Sequence, residues 1–170
     1  MSVEMRRLLL LLSLLALASL SHAGDAAAQG RADASGFRGD WNYAVYAKDK
    51  GELPPAYQGM RLEEVPQYAI DITIRQRGGR LRATCGIAAR FLAKIDDCGF
   101  TANVRNGAAQ FRLKSSFGGT SVIRLTVRGD RLYWKVIRRD DGESYFPDDI
   151  VLRRLKPGET PPYFEKDGSR

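Results

Sequence analysis

From Phe37 onward, apolar and polar residues take turns along the chain with a period of two, the spacing of a strand with one buried and one solvated face. Gly39, Trp41, Tyr43 and Val45 alternate with Arg38, Asp40, Asn42 and Ala44, which predicts a first strand with aromatic residues on its inner side. Tyr68, Ile70, Ile72 and Ile74 repeat the pattern against Asp71, Thr73 and Arg75. Gly78-Gly79 then supplies a turn, and Leu81, Ala83, Cys85 and Ile87 return. Phe100, Ala102 and Val104 lead through Asn106-Gly107 to Ala109, Phe111 and Leu113. Beyond a corner at residues 116–119, Ile123, Leu125 and Val127 turn at Gly129-Asp130 into Leu132, Trp134 and Val136. After Asp140-Asp141-Gly142 the series closes on Ile150, Leu152 and Arg154. Eight strands joined mostly by short turns predict an antiparallel meander, and a closed up-and-down barrel hides both of its edges.

Two stretches break the pattern. Residues 48–66 carry Pro54-Pro55 and Pro66 with no clear apolar period, a connection long enough to cover a barrel mouth. Residues 89–97 are ambiguous: Phe91 and Ile95 would share one helical face, which predicts a short helix, although two turns hardly stand alone. The tail, residues 156–170, contains Pro157, Pro161 and Pro162 and reads as irregular.

The first 36 residues change the setting. Arg6 and Arg7 precede an apolar run over residues 8–20, and Ser21-His22-Ala23 offers small residues at the two positions that a signal peptidase reads. That run would cross only about two-thirds of a bilayer's hydrocarbon core, so residues 1–23 are expected to be an export signal and not an anchor. Residues 24–36 are small and polar and are expected to form a flexible arm; the barrel domain occupies residues 37–155. No membrane span is expected in the mature form, and its place is the periplasm or the exterior. Two cysteines in an exported chain predict one disulfide, Cys85 to Cys98, closing a loop of about 14 residues and contributing on the order of 3 kcal/mol.

The chemistry is bounded mainly by exclusion. His22 is the only histidine and lies in the signal, which removes serine–histidine and cysteine–histidine hydrolysis and histidine-based zinc sites from the mature protein. No phosphate-binding loop or dinucleotide fingerprint is present. The carboxylate pairs Glu63-Glu64, Asp96-Asp97, Asp140-Asp141 and Asp148-Asp149 read as turn residues, and Asp140 to Glu143 lacks the alternating ligand spacing of a calcium loop. Arg38-Gly39-Asp40 and Arg128-Gly129-Asp130 are adhesion-type tripeptides whose simpler reading is ordinary turn chemistry. No catalytic residue, metal site or cofactor is expected.

The formal charge of the whole chain is +7. Such a chain meets acidic polysaccharide, anionic lipid or an acidic protein more readily than a neutral one; nucleic acid is not the expected partner of an exported protein. The plainer reading is that arginine usage reflects genome composition and solubility. Arg75, Arg82, Arg112, Arg124 and Arg128 fall on outward positions and would form a basic stripe.

Gly39-Asp40-Trp41 at the start of the first strand resembles the opening of calycin barrels, the lipocalins and their relatives. In those proteins a Gly-x-Trp motif begins the barrel and the tryptophan closes its floor under an arginine of the last strand. The resemblance implies that Arg153 or Arg154 lies over Trp41 as a cation on an indole face. It also implies a lipocalin-like fold and a lid at residues 48–66. The lipocalin Thr-Asp-Tyr motif is missing. A bacterial metalloprotease-inhibitor family is similar as well: exported, small, eight-stranded, with one disulfide and an N-terminal arm that enters the protease cleft.

These readings lead to an exported, non-enzymatic binding protein. The first expectation is a small apolar or amphipathic ligand held in the barrel by Trp41, Tyr43, Ile72, Phe111 and Trp134. The second is an inhibitor or interaction module that meets an exported protein partner through a loop or the arm. The third is polyanion binding through the surface arginines.

Overall fold

The computed structural model describes residues 36–161 and Tyr163. Residues 1–23, expected to be an export signal, and residues 24–35 of the expected arm lie outside the described residues. Eight strands follow one another around a closed antiparallel barrel: β1 (Gly39–Tyr46), β2 (Pro66–Arg77), β3 (Arg80–Ala89), β4 (Lys94–Arg105), β5 (Ala108–Lys114), β6 (Thr120–Arg128), β7 (Arg131–Arg139) and β8 (Asp149–Arg154).

Because every connection joins neighbours, alternate turns gather at opposite ends. The turns at residues 78–79, 106–107 and 129–130 share one end, here the lower, with the start of β1 and the finish of β8. Gly78, Gly107 and Gly129 have φ of +56°, +71° and +59°, and Asn106 joins them at +50°. Turn-forming glycine and asparagine tolerate this left-handed region, which is why those dipeptides set the register.

The inward residues form one core: Trp41, Ile70, Ile72, Ile74, Leu81, Ile87, Phe111, Ile123, Leu125, Leu132 and Trp134 are all buried. The outward rows carry arginine, threonine and asparagine, the reverse of a barrel that faces lipid. No helix among the described residues is long and apolar enough to cross a membrane.

The ladders are uneven. β2 with β3, and β3 with β4, pair along ten residues each. β4 meets β5 only at Val104↔Ala109 and Arg105↔Ala108, and β8 meets β1 only at Trp41↔Arg154 and Asn42↔Arg153. Both short ladders lie at the lower end. Higher up, β4 and β5 meet through side chains, Phe100 on Phe111 and Asp96 on Ser115.

Residues 89–97 are not a helix. A 3-10 turn over Arg90–Leu92 ends on Ala93 at φ +51°, and β4 starts at once with Lys94 opposite Ala89. Phe91 and Ile95 do not share a face: Phe91 stacks on Tyr57 at 5.9 Å, while Ile95 is exposed. A continuous cross-strand ladder outweighs two turns of helix with little to bury. Consequently Asp96-Asp97 lies in a strand and not in a turn, with Asp96 inward and Asp97 outward.

The long connection of residues 47–65 contains three 3-10 turns and its own small core of Ala47, Leu53 and Val65, against which Tyr57, Leu62 and Phe91 pack. The apolar side chain that reaches the upper lumen belongs to the β7–β8 connection. Phe146 is buried with its ring 6.5 Å from that of Trp134. Its loop is tied down by Trp134 Nε1 donating to Pro147 O (3.1 Å), Tyr68 OH to Tyr145 O (2.7 Å) and Gly119 N to Glu143 O (2.8 Å). Gly119 and Gly142 allow that approach, since a Cβ on either would lie under 3 Å from the other segment's backbone.

Candidate functional site

At the lower end the chain before β1 folds beneath the barrel, burying Phe37, whose carbonyl accepts from Trp41 Nε1 at 2.9 Å. Arg154 is the arginine over Trp41, its guanidinium carbon 4.0 Å from the ring centroid. The same guanidinium donates to the carbonyls of Gly36 and Arg38. Burial lowers its pKa from the ordinary arginine value. Gly39 has φ +138°, and a Cβ there would sit 2.7 Å from the guanidinium, so glycine leaves room for the clasp. Arg153 points outward and pairs with Glu159 at 2.6 Å.

Of the five residues expected to frame a lumenal pocket, Trp41, Ile72, Phe111 and Trp134 are buried in the barrel core. Phe111 stacks on Phe100 with centroids 3.7 Å apart and meets Trp134 edge-on at 6.2 Å. Around these residues the lumen is filled by their own rings. Tyr43 is half-buried and borders an outer cleft of about 370 Å³ beside Asn42, Tyr46, Glu63 and Arg153. Cys85 and Cys98 face each other on β3 and β4, bonded, with Cα atoms 4.8 Å apart.

No protein-family model matches the chain, and no curated protein does.

The most distinctive surface is the lower rim on the β2–β7 side. Arg75 stands opposite Arg82 and Arg77 opposite Arg80 across the β2–β3 ladder; Arg124 faces Lys135 and Arg128 faces Arg131 across β6–β7. Like charges directly opposed on a sheet destabilise it by a few tenths of a kcal/mol each, so this arrangement works against folding. Among the described residues, Arg75, Arg77, Arg80, Arg82, Arg105 and Arg124 make no ion pair. The nearby carboxylates are engaged: Asp40 accepts from Thr73 at 2.7 Å, and Asp130 lies beside Arg131. At the upper end, by contrast, arginines are paired, Arg112 and Arg138 both with Asp140 and Arg139 with Asp148. A cleft of about 480 Å³ opens on the lower rim, lined by Asn103, Arg105, Asn106, Ala108, Gln110 and Arg124. Guanidinium and amide donors dominate it, a donor set for carboxylate or phosphate oxygens. Of the arginines expected to form a stripe, Arg75, Arg82, Arg124 and Arg128 belong to this rim, while Arg112 is occupied by Asp140.

Other groupings escaped the sequence. Asn42, outward in phase, is nevertheless buried, because Tyr163 of the tail lies against it and both side chains bind Asp71. The Asn42 Nδ2 to Asp71 Oδ1 distance is 2.9 Å, and burial raises the pKa of Asp71 above the usual carboxylate value. Asp96 is buried and accepts from Ser115 Oγ at 2.5 Å and Ser116 N at 2.9 Å. Extending the two-residue period back from Phe100 and Cys98 would have placed Asp96 inside; nothing local marks Tyr163. Among the described residues no group of three or more histidine, cysteine, aspartate or glutamate side chains could hold a metal ion.

Proposed function

We propose that this chain is an exported, non-enzymatic binding module that holds an anionic partner at the lower rim of its barrel. The observation that carries this reading is the group Arg75, Arg77, Arg80 and Arg82, opposed to one another across the β2–β3 ladder and without an ion pair among the described residues. An arrangement that costs stability in the isolated barrel is relieved when carboxylate or phosphate groups lie between the guanidiniums. The disulfide supports an oxidising compartment, and the barrel with its Trp41–Arg154 clasp is consistent with a calycin-like barrel, a likeness of fold from which binding is argued only by analogy.

Charge reversal tests it. Arg80→Glu with Arg82→Glu should weaken binding to long-chain polyphosphate, and to an acidic polysaccharide, by about tenfold or more at low salt. The control Lys48→Glu with Lys50→Glu, at the upper end, should change it little. Equal losses from both double variants would show that net charge, not the rim, is responsible. The two polymers separate phosphate from carboxylate preference.

A second reading, a small amphipathic ligand in the upper lumen, is favoured by the buried Ser121, whose Oγ has no hydrogen-bond partner there. Mass spectrometry of the exported protein under non-denaturing conditions checks it: a co-purifying small molecule supports it, and release of none from protein taken directly from its compartment argues against it.

A further inference from the structure

The cleft of about 480 Å³ on the lower rim has its cause in the side chains around it. β4 contributes Asn103 and Arg105 and β6 contributes Arg124, all long, while β5 between them presents Ala108. Ala108 stands opposite Arg105 in the β4–β5 register and opposite Thr126 in that of β5–β6, so a methyl group is the low point of the surface. Gln110, the next outward residue of β5, faces Arg124, and Asn106 of the β4–β5 turn closes the lower end.

The polar groups of this cleft are unengaged. Among the described residues Arg105 and Arg124 make no ion pair, and the side chains of Asn103, Asn106 and Gln110 make no hydrogen bond. All five are exposed. The volume lies in the range of small-molecule sites, which are ordinarily lined mostly by apolar groups. Ala108 is the one apolar residue lining this cleft, so burial of hydrocarbon does not select its occupant.

The two kinds of side chain call for different ligand groups. A guanidinium only donates, and takes a carboxylate or phosphate. A side-chain amide also accepts, so its carbonyl oxygen calls for a donor from the ligand. Ionised polyphosphate carries acceptors and no donor, which leaves the carbonyl oxygens of all three amides unused. An acidic peptide has backbone donors but brings hydrocarbon beside each carboxylate, for which the cleft offers only Ala108. Sugar hydroxyls donate and accept, as amides do.

We propose, on the anionic-partner reading of the rim, that this cleft is a subsite for a uronic acid residue of an acidic polysaccharide. Arg105 and Arg124 take carboxylates, Asn103, Asn106 and Gln110 take hydroxyls, and Ala108 lies under a ring face. Arg80 stands opposite Asn103, and Arg77 opposite Arg80, so the row of donors continues from the cleft toward the next carboxylate of the polymer.

The test titrates the folded protein by calorimetry at about 150 mM salt with three probes of matched charge: oligogalacturonate of about eight residues, oligoglutamate of the same length, and polyphosphate. Oligogalacturonate should bind about tenfold or more tightly than oligoglutamate, the gain of about two or three hydrogen bonds. Asn103→Leu with Gln110→Leu should remove about that tenfold and leave polyphosphate affinity within about twofold, which also shows that the variant is folded. Ala108→Phe, which fills the floor, should do the same. Oligogalacturonate binding no tighter than oligoglutamate, or unchanged by both variants, overturns the saccharide subsite, and continued binding of polyphosphate then leaves the rim reading standing. An equal loss for all three probes in both variants overturns the subsite as well. Failure of all three probes to bind the parent protein overturns the subsite and the rim together.

Discussion

Removal of Arg154 should loosen the floor of the barrel by an amount that the contacts allow to be worked out. The guanidinium lies 4.0 Å from the Trp41 centroid, a cation–π contact of about 1 kcal/mol at a partly exposed site. It also donates to two carbonyls, of Gly36 and Arg38, and charged hydrogen bonds contribute roughly 1.5 kcal/mol each at the low end that partial exposure dictates. Not all of this adds, because the freed carbonyls recover water, so Arg154→Ala should cost about 3 kcal/mol. For a domain of this size that is a fall of about 10 °C in the melting midpoint. Arg154→Lys should recover only about a third, since one ammonium keeps a charge over the indole but cannot serve both carbonyls. Gly39→Ala should resemble Arg154→Ala, because its Cβ would occupy the guanidinium's place. Urea denaturation followed by tryptophan fluorescence and far-ultraviolet circular dichroism measures all three. An Arg154→Ala variant within about 0.5 kcal/mol of the parent would refute the idea that this clasp closes the barrel, whatever the resemblance to other barrels.

Two further substitutions probe the upper half and a third the contact of Asp71 with Asn42 and Tyr163. Phe146→Ala should destabilise by about 3 kcal/mol and shift Trp134 emission to the red as the plug above it is lost; a cost under about 1 kcal/mol would mean that Phe146 does not close the lumen. Ser121→Ala removes a buried hydroxyl with no partner and should stabilise the protein by about 1 kcal/mol in denaturant titration, whereas a comparable loss would reveal a partner for it. The raised pKa of Asp71 means that the folded state binds its proton more tightly than the unfolded chain. Its stabilising contribution is therefore full below the unfolded carboxylate pKa and is lost as pH rises through the folded value. Asp71→Asn should shift in stability relative to the parent, in the variant's favour, as pH rises from about 4; a difference independent of pH would contradict the assignment.

Much of this architecture is legible in alternation and turn residues. Tyr68 to Arg75, Gly78-Gly79 and Leu81 to Ile87 specify a hairpin because the period of two and the left-handed turn demand the same register. The clasp was legible only through the resemblance of Gly39-Asp40-Trp41 to calycin barrels, which left Arg153 and Arg154 both open; it is Arg154 that fills the space Gly39 vacates. Residues 89–97 misled because Phe91 and Ile95 are four apart, a spacing that fits a helix face, while Phe91 belongs to the turn and Ile95 to the outer face of β4. Tyr163 was invisible because a lone aromatic among prolines carries no period, and its place on Asp71 is decided by tertiary contact. The shortness of the β4–β5 ladder was hidden too. Both strands alternate perfectly, and alternation reports which face is buried, not whether a neighbour's backbone lies within hydrogen-bonding reach.

The arginine rim also explains why outward positions that look like mere solvation carry more information in register than in sequence. Arg75 and Arg82 are seven residues apart, but the ladder puts them side by side. A sheet tolerates such pairs at a cost; among the described residues no carboxylate pairs with Arg75, Arg77, Arg80 or Arg82, whereas Asp130 lies beside Arg131 and Asp149 beside Lys135.

Whether that rim holds an anionic partner is tested most directly by titrating the folded protein with long-chain polyphosphate while ionic strength rises from about 50 to 200 mM. Several guanidiniums acting together predict affinity falling at least about tenfold over that range, along a straight line of log affinity against log salt, with the slope reduced in the Arg80→Glu, Arg82→Glu variant. Affinity that does not change with salt, or a slope untouched by reversing those two arginines, would contradict it.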